Sequence, residues 1–161
     1  MNSNTTTWVL VADEAIARIL ERPADGGDLT PVEELTDPAA HARNADLRRD
    51  AEGRRAGSAT HNAQPGTSHR LRSGASTTSS AGEGEQHLEA QGFAKRVAQR
   101  LDEALMQGRF DQLHLVAAPR FLGLLRRELG KATSQAVVGE TDKDFVHLVN
   151  ADITQRLFPP R

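Results

Sequence analysis

Asp13 is the first residue whose place in the chain could support chemistry. It follows the apolar run Trp8 to Ala12, where a strand would deliver a carboxylate to the end of a sheet, and Glu14 stands beside it. Carboxylates converging at strand ends are what a two-metal nuclease needs, because Mg²⁺ is held through oxygen ligands and shared with substrate phosphate. The second acidic strand end is missing here. The apolar run from Leu113 closes as Ala117-Ala118-Pro119, and Arg120 would repel a cation. Asp13 and Glu14 then read as a solvated hairpin turn.

Six histidines, His41, His61, His69, His87, His114 and His147, raise the question of a metal centre. None are paired on one helix face or in a tight loop, and no cysteine joins them, so neither metal nor cofactor is expected. His114, inside an apolar run, reads as a hydrogen-bonded core residue. No Gly-x-Ser-x-Gly elbow is present, which removes the serine hydrolases. Arginine supplies one further signal. Arg43, Arg48, Arg49, Arg54, Arg55, Arg70 and Arg72 stand against only Asp46, Asp50 and Glu52. Such a segment can track phosphates and order on contact, and these seven are the candidate RNA-binding residues. Because no aromatic side chains are interleaved for stacking, plain solubilisation is the alternative.

The elements that would position these groups follow from apolar spacing. Leu113 to Leu129 carries the centre of the pattern. Leu113, Leu115 and Ala117 alternate with His114, Val116 and Ala118, and both parities are mostly apolar, which predicts a central strand covered on both faces. Pro119 suits the first helical turn, and Phe121, Leu122, Leu124, Leu125 and Leu129 define one stripe of a helix that Gly130 can close.

Upstream, Thr5 to Ala12 predicts a strand, and Ala15 to Arg22 an antiparallel partner. Asp25-Gly26-Gly27-Asp28 is a turn signal. Leu29 to Thr36 makes a third strand, placed at a sheet edge by Pro31. His87 to Gln107 predicts a helix, Gln135 to Glu140 a fifth strand, and Thr141 or Asp142 the cap of a last helix carrying Phe145, Val149, Ile153 and Leu157. The order predicts an α/β fold: a five-stranded mixed sheet with the third and fifth strands at its edges, helices on its faces, and the ribonuclease-H-like architecture.

Between Asp37 and Gln86 the only large aliphatic side chains are Leu47 and Leu71. That composition cannot offset its ordering entropy, so the stretch is expected to be a flexible Arg/Gly/Ser-rich insertion in a single domain, 1–161, whose core is 5–36 and 87–158. The flanks, about 36 and about 75 residues long, are each small for an independent core. The 161 residues include no cysteine, which a reducing cytoplasm would tolerate, and a net charge of −2 argues against a wholesale nucleic-acid binder. The apolar start breaks at Asp13 with no basic residues before it, so neither a signal peptide nor a membrane span is expected.

Several stretches together resemble a known bacterial family. These are WVLVADEAIARILE, Asn44-Ala45-Asp46-Leu47 with Asp50 and Gly53-Arg54, FAKRVAQRL, FDQLHLVAAPRFLGLLRREL and VVGETDKD. They resemble the host attachment group, named as required for attachment to host cells, which is itself similar to the central domain of archaeal and eukaryotic peptide-chain release factors. The block from Phe110 to Leu129 is the most specific.

The resemblance implies a release-factor-like domain of the cytoplasm with the ribosome or tRNA as partner. Release factors of that type carry a Gly-Gly-Gln loop at the start of a long helix, positioning water against the ester of peptidyl-tRNA. The corresponding place here holds Gly82, Gly84 and Gln86, with Glu85 where the second glycine would stand. Glycine serves where a backbone takes positive φ or approaches a ligand, and a carboxylate beside tRNA phosphate adds repulsion. The expectation is therefore a non-catalytic domain. The alternatives are a hydrolase acting on peptidyl-tRNA or another ester through Gln86, and a protein-interaction module for surface attachment.

Overall fold

A computed structural model describes residues 4–40, 42 and 75–161. The chain comprises two units, residues 1–37 with 90–161, and residues 38–89. In the second, residues 38–40 and 42 and residues 75–89 are helical.

In the first unit, β1 (Thr7–Ala12), β2 (Ile16–Glu21) and β3 (Thr30–Thr36) precede α1 (Ala75–Met106), of which Ala90 onward belongs to this unit. Then come β4 (Gln112–Ala117), α2 (Pro119–Glu128), α3 (Lys131–Ala136), β5 (Val137–Thr141) and α4 (Asn150–Leu157). The sheet is five-stranded and mixed, in the order β3-β2-β1-β4-β5. β2 runs antiparallel to β1 and β3, whereas β1, β4 and β5 are parallel.

The expected edges are the observed ones. The middle position, however, belongs to β1, with β4 beside it in the register Thr7↔Gln112 to Ala12↔Ala117. Pro31 pairs with Leu20 beside a bulge on the β3 edge, a place where a missing amide hydrogen is tolerated.

Strand parity divides the core. Trp8, Leu10, Ala12, Ala17, Ile19, Leu113, Leu115 and Ala117 pack with Phe93, Val97 and Leu101 of α1 and with Phe121, Leu122 and Leu125 of α2. Val9, Val11, Leu20 and Val116 point the other way, against Val146 and Ile153 of the C-terminal segment. A strand run with both parities apolar is the sequence form of a sheet covered on both sides.

Three expected boundaries are corrected. α1 begins at Ala75, so Ala75 to Gln86 of the expected insertion is helical; this Ser/Thr/Gly-rich stretch has weak intrinsic propensity and no apolar period to announce it. Gly130 does not close α2. It is the N-cap of α3, and the Asp102 carboxylate accepts the Gly130 N–H at 3.1 Å and the Thr133 hydroxyl. The helix expected from Thr141 or Asp142 starts only at Asn150, because residues 142–149 form turns that Arg18 holds from β2.

Gly139 on β5 passes so near His114 that a Cβ would meet Cε1 at 2.5 Å and Nδ1 at 2.7 Å. The imidazole must move, and Phe158 stands edge-on to it at 6.1 Å. Gly139→Ala is expected to cost about 2 kcal/mol, as overpacking does. His114→Ala in the same chain should recover most of that, a coupling that urea midpoints of the four combinations measure directly.

Candidate functional site

At the carboxyl end of the middle strand, the chain leaves β1 through Asp13, whose Oδ1 accepts the N–H groups of Ala15 and Ile16, both at 2.8 Å. This closes the β1–β2 turn expected from the sequence. Arg18, half-buried on β2, reaches across the sheet to the C-terminal segment. Its guanidinium donates to the carbonyls of Val146 (3.0 Å) and Leu148 (2.8 Å) and to Asn150 Oδ1. The two carbonyls flank His147. With that segment pinned, Asp144 and His147 come to Asp13, and one ligand atom from each lies within 4.8 Å of the others. Asp13 is half-buried; Asp144 and His147 are exposed.

No single feature of the sequence signals this grouping, since Asp13 and the pair Asp144, His147 lie at opposite ends of the polypeptide. Asp144 and His147, three residues apart, fall in the stretch whose apolar spacing predicts the last helix. Arg120, expected to repel a cation at the strand ends, instead faces Glu14 at 4.0 Å.

His114 is half-buried, as its strand position implied, with Nε2 3.3 Å from Thr141 Oγ1. Burial lowers its pKa from the ordinary histidine value, and Glu140 opposes the shift in part. Glu140 is itself held below the usual carboxylate range by hydrogen bonds from Arg126. A histidine of depressed pKa binds fewer protons folded than unfolded, so stability rises with pH. The contribution of His114 is present above about pH 6.5 and is lost as pH falls through the depressed folded value. Urea midpoints of the wild type should therefore decline more steeply on acidification than those of His114→Gln.

A separate cavity of about 420 Å³ is lined by Leu105, Met106, Lys131 and Ala132 around Asp102, Gly130 and Thr133. Its one carboxylate is occupied in fastening the start of α3.

The family of proteins required for attachment to host cells matches this chain over residues 8–157, nearly its whole length. The chain belongs to the host attachment family. A comparison with curated proteins finds no match. The match spans both the sheet and the turns that carry Asp144 and His147 of this host attachment protein.

Of the residues singled out by the sequence, Asp13 and His147 belong to this grouping. Gly82, Gly84 and Gln86, expected in a loop ahead of the long helix, lie within α1, with Gly84 and Gln86 exposed. Arg43, Arg48, Arg49, Arg54, Arg55, Arg70 and Arg72 lie outside the described residues, as do His41, His61 and His69. Among the described residues, no helix of the host attachment protein is long and apolar enough to cross a membrane.

Proposed function

We propose that this host attachment protein is a non-catalytic, release-factor-like domain of the cytoplasm that contacts RNA or the ribosome through the arginine-bearing segment between β3 and α1. The observation that supports the kinship is the strand arrangement. An opening antiparallel trio is followed by alternating helices and strands, with β3 and β5 at the edges, the layout expected of a ribonuclease-H-like domain. Arrangement speaks to architecture alone, and function rests on the groups it carries.

Two features favour binding over catalysis. Gln86 is exposed on a helix, where a side chain free to turn does not by itself orient a water against a bound ester. The seven arginines of the intervening segment outnumber its acidic residues, so phosphate neutralisation is the interaction available to it.

Co-sedimentation with ribosomes, and separately with bulk tRNA, tests the reading at low and raised salt. Association should fall steeply as salt rises, and a chain with Arg48, Arg49, Arg54 and Arg55 replaced by glutamine should bind more weakly with a shallower salt slope. Absence of any salt-sensitive association would overturn the RNA-binding claim. Hydrolysis of peptidyl-tRNA by the wild type but not by Gln86→Ala would replace it with the hydrolase reading.

A further inference from the structure

We infer that Asp13, Asp144 and His147 form a binding site for a divalent first-row transition ion, of the zinc or manganese kind, at the carboxyl end of the sheet's middle strand. The set supplies one imidazole nitrogen and two carboxylates, whose ligand atoms lie within 4.8 Å of one another. Bonds to such an ion are about 2.0–2.2 Å. Around a tetrahedral ion neighbouring ligands stand roughly 3.4 Å apart, so the grouping closes onto an ion with shifts of up to about an ångström, which the exposed side chains of Asp144 and His147 can make towards the held Asp13.

Electrostatics points the same way. Asp13 and Asp144 place two carboxylates together, and among the described residues neither has a cationic partner. Arg18 is turned onto Val146, Leu148 and Asn150, and Arg120 onto Glu14. A cation between two like charges removes their repulsion and supplies attraction to both.

Preorganisation adds to this. Arg18 fixes the backbone on each side of His147, so the imidazole is presented from a held turn. The site also lies beyond the carboxyl ends of parallel strands β1 and β4, the side of an open α/β sheet where ligands bind.

The nitrogen donor sets the ion class. Imidazole suits zinc, copper, iron and nickel, and the two carboxylates extend the range to manganese, whereas magnesium and calcium favour oxygen alone. Three protein ligands leave the remaining coordination positions to water.

Titration of the full-length chain with Zn²⁺ alone and with Mn²⁺ alone, by calorimetry, tests the inference. The expected result is one ion bound through this site, with affinity reduced at least about tenfold by each of Asp13→Asn, Asp144→Asn and His147→Ala, and little competition from excess Mg²⁺. Asp13→Asn keeps an oxygen for the Ala15 and Ile16 N–H groups, and far-UV circular dichroism verifies folding. If it fails to fold, the two exposed positions decide. Mn²⁺ should also broaden the amide resonances of residues 13–16 and 144–148 first. The inference is overturned if neither ion binds at about 100 µM, within the weak range of protein metal sites. It is also overturned if an Asp144→Asn/His147→Ala chain binds as the wild type does, or if broadening centres on other residues such as His41, His61 or His69.

Discussion

Trp8→Ala should destabilise the protein by about 4 kcal/mol, the range for truncating a fully buried indole. Trp8 is 1% exposed on β1, stacks on Phe110 with centroids 4.8 Å apart, and donates its indole N–H to Glu21 at 3.1 Å. Arg109 lies over its outer side at 5.0 Å. Truncation removes all of these and leaves a void between β1 and the segment entering β4.

Against a total of about 5–15 kcal/mol for a typical domain, a loss of that size brings the variant near its unfolding threshold. Trp8→Phe keeps a ring against Phe110 and forgoes the hydrogen bond, so about 1–2 kcal/mol is expected. Urea denaturation followed by circular dichroism measures both. A Trp8→Ala loss below about 1 kcal/mol would mean that this end of the sheet is not packed as described.

Arg18→Ala is expected to cost about 3 kcal/mol. Hydrogen bonds from a charged donor contribute about 1.5–3 kcal/mol each, and Arg18 makes three, but the site is half-exposed and water takes up part of the loss. The effect should be local as well as global. Amide hydrogen exchange between Phe145 and Asn150 should accelerate more than exchange in β1. Arg18→Lys should recover only a minor part, because one ammonium cannot span two carbonyls and an amide as a planar fork does. Equal stability of all three chains would contradict the role assigned to Arg18.

How much of this was legible depended on the range of the interactions responsible. The strands were readable because their apolar residues occupy both parities, and Pro31 and Pro119 mark local backbone requirements that tertiary structure did not alter. What escaped reading was set from a distance. The pattern predicts strand from Gln135, yet KATSQA is helical through Ala136, where Asp102, from α1, anchors Gly130 and Thr133. The spacing of Phe145, Val149, Ile153 and Leu157 imitated a helix. In the structure Val146 is buried and Val149 is 64% exposed, because Arg18 takes the carbonyls that a helix would have used internally. The carboxylate–imidazole grouping escaped for the same reason: its members meet only once the C-terminal turns are fastened across β2.

The pairing of β1 with β4 carries a kinetic consequence. Thr7 and Gln112, partners at the start of this ladder, are 105 residues apart. At translation speeds of about 5–20 residues per second, the nascent β1–β3 meander, complete at Thr36, emerges roughly 4–15 s before the strand that starts at Gln112. For that interval the inner margin of β1 presents an open hydrogen-bonding edge among Val9, Leu10 and Val11. Chaperone engagement of the growing polypeptide should accordingly end when β4 clears the exit tunnel.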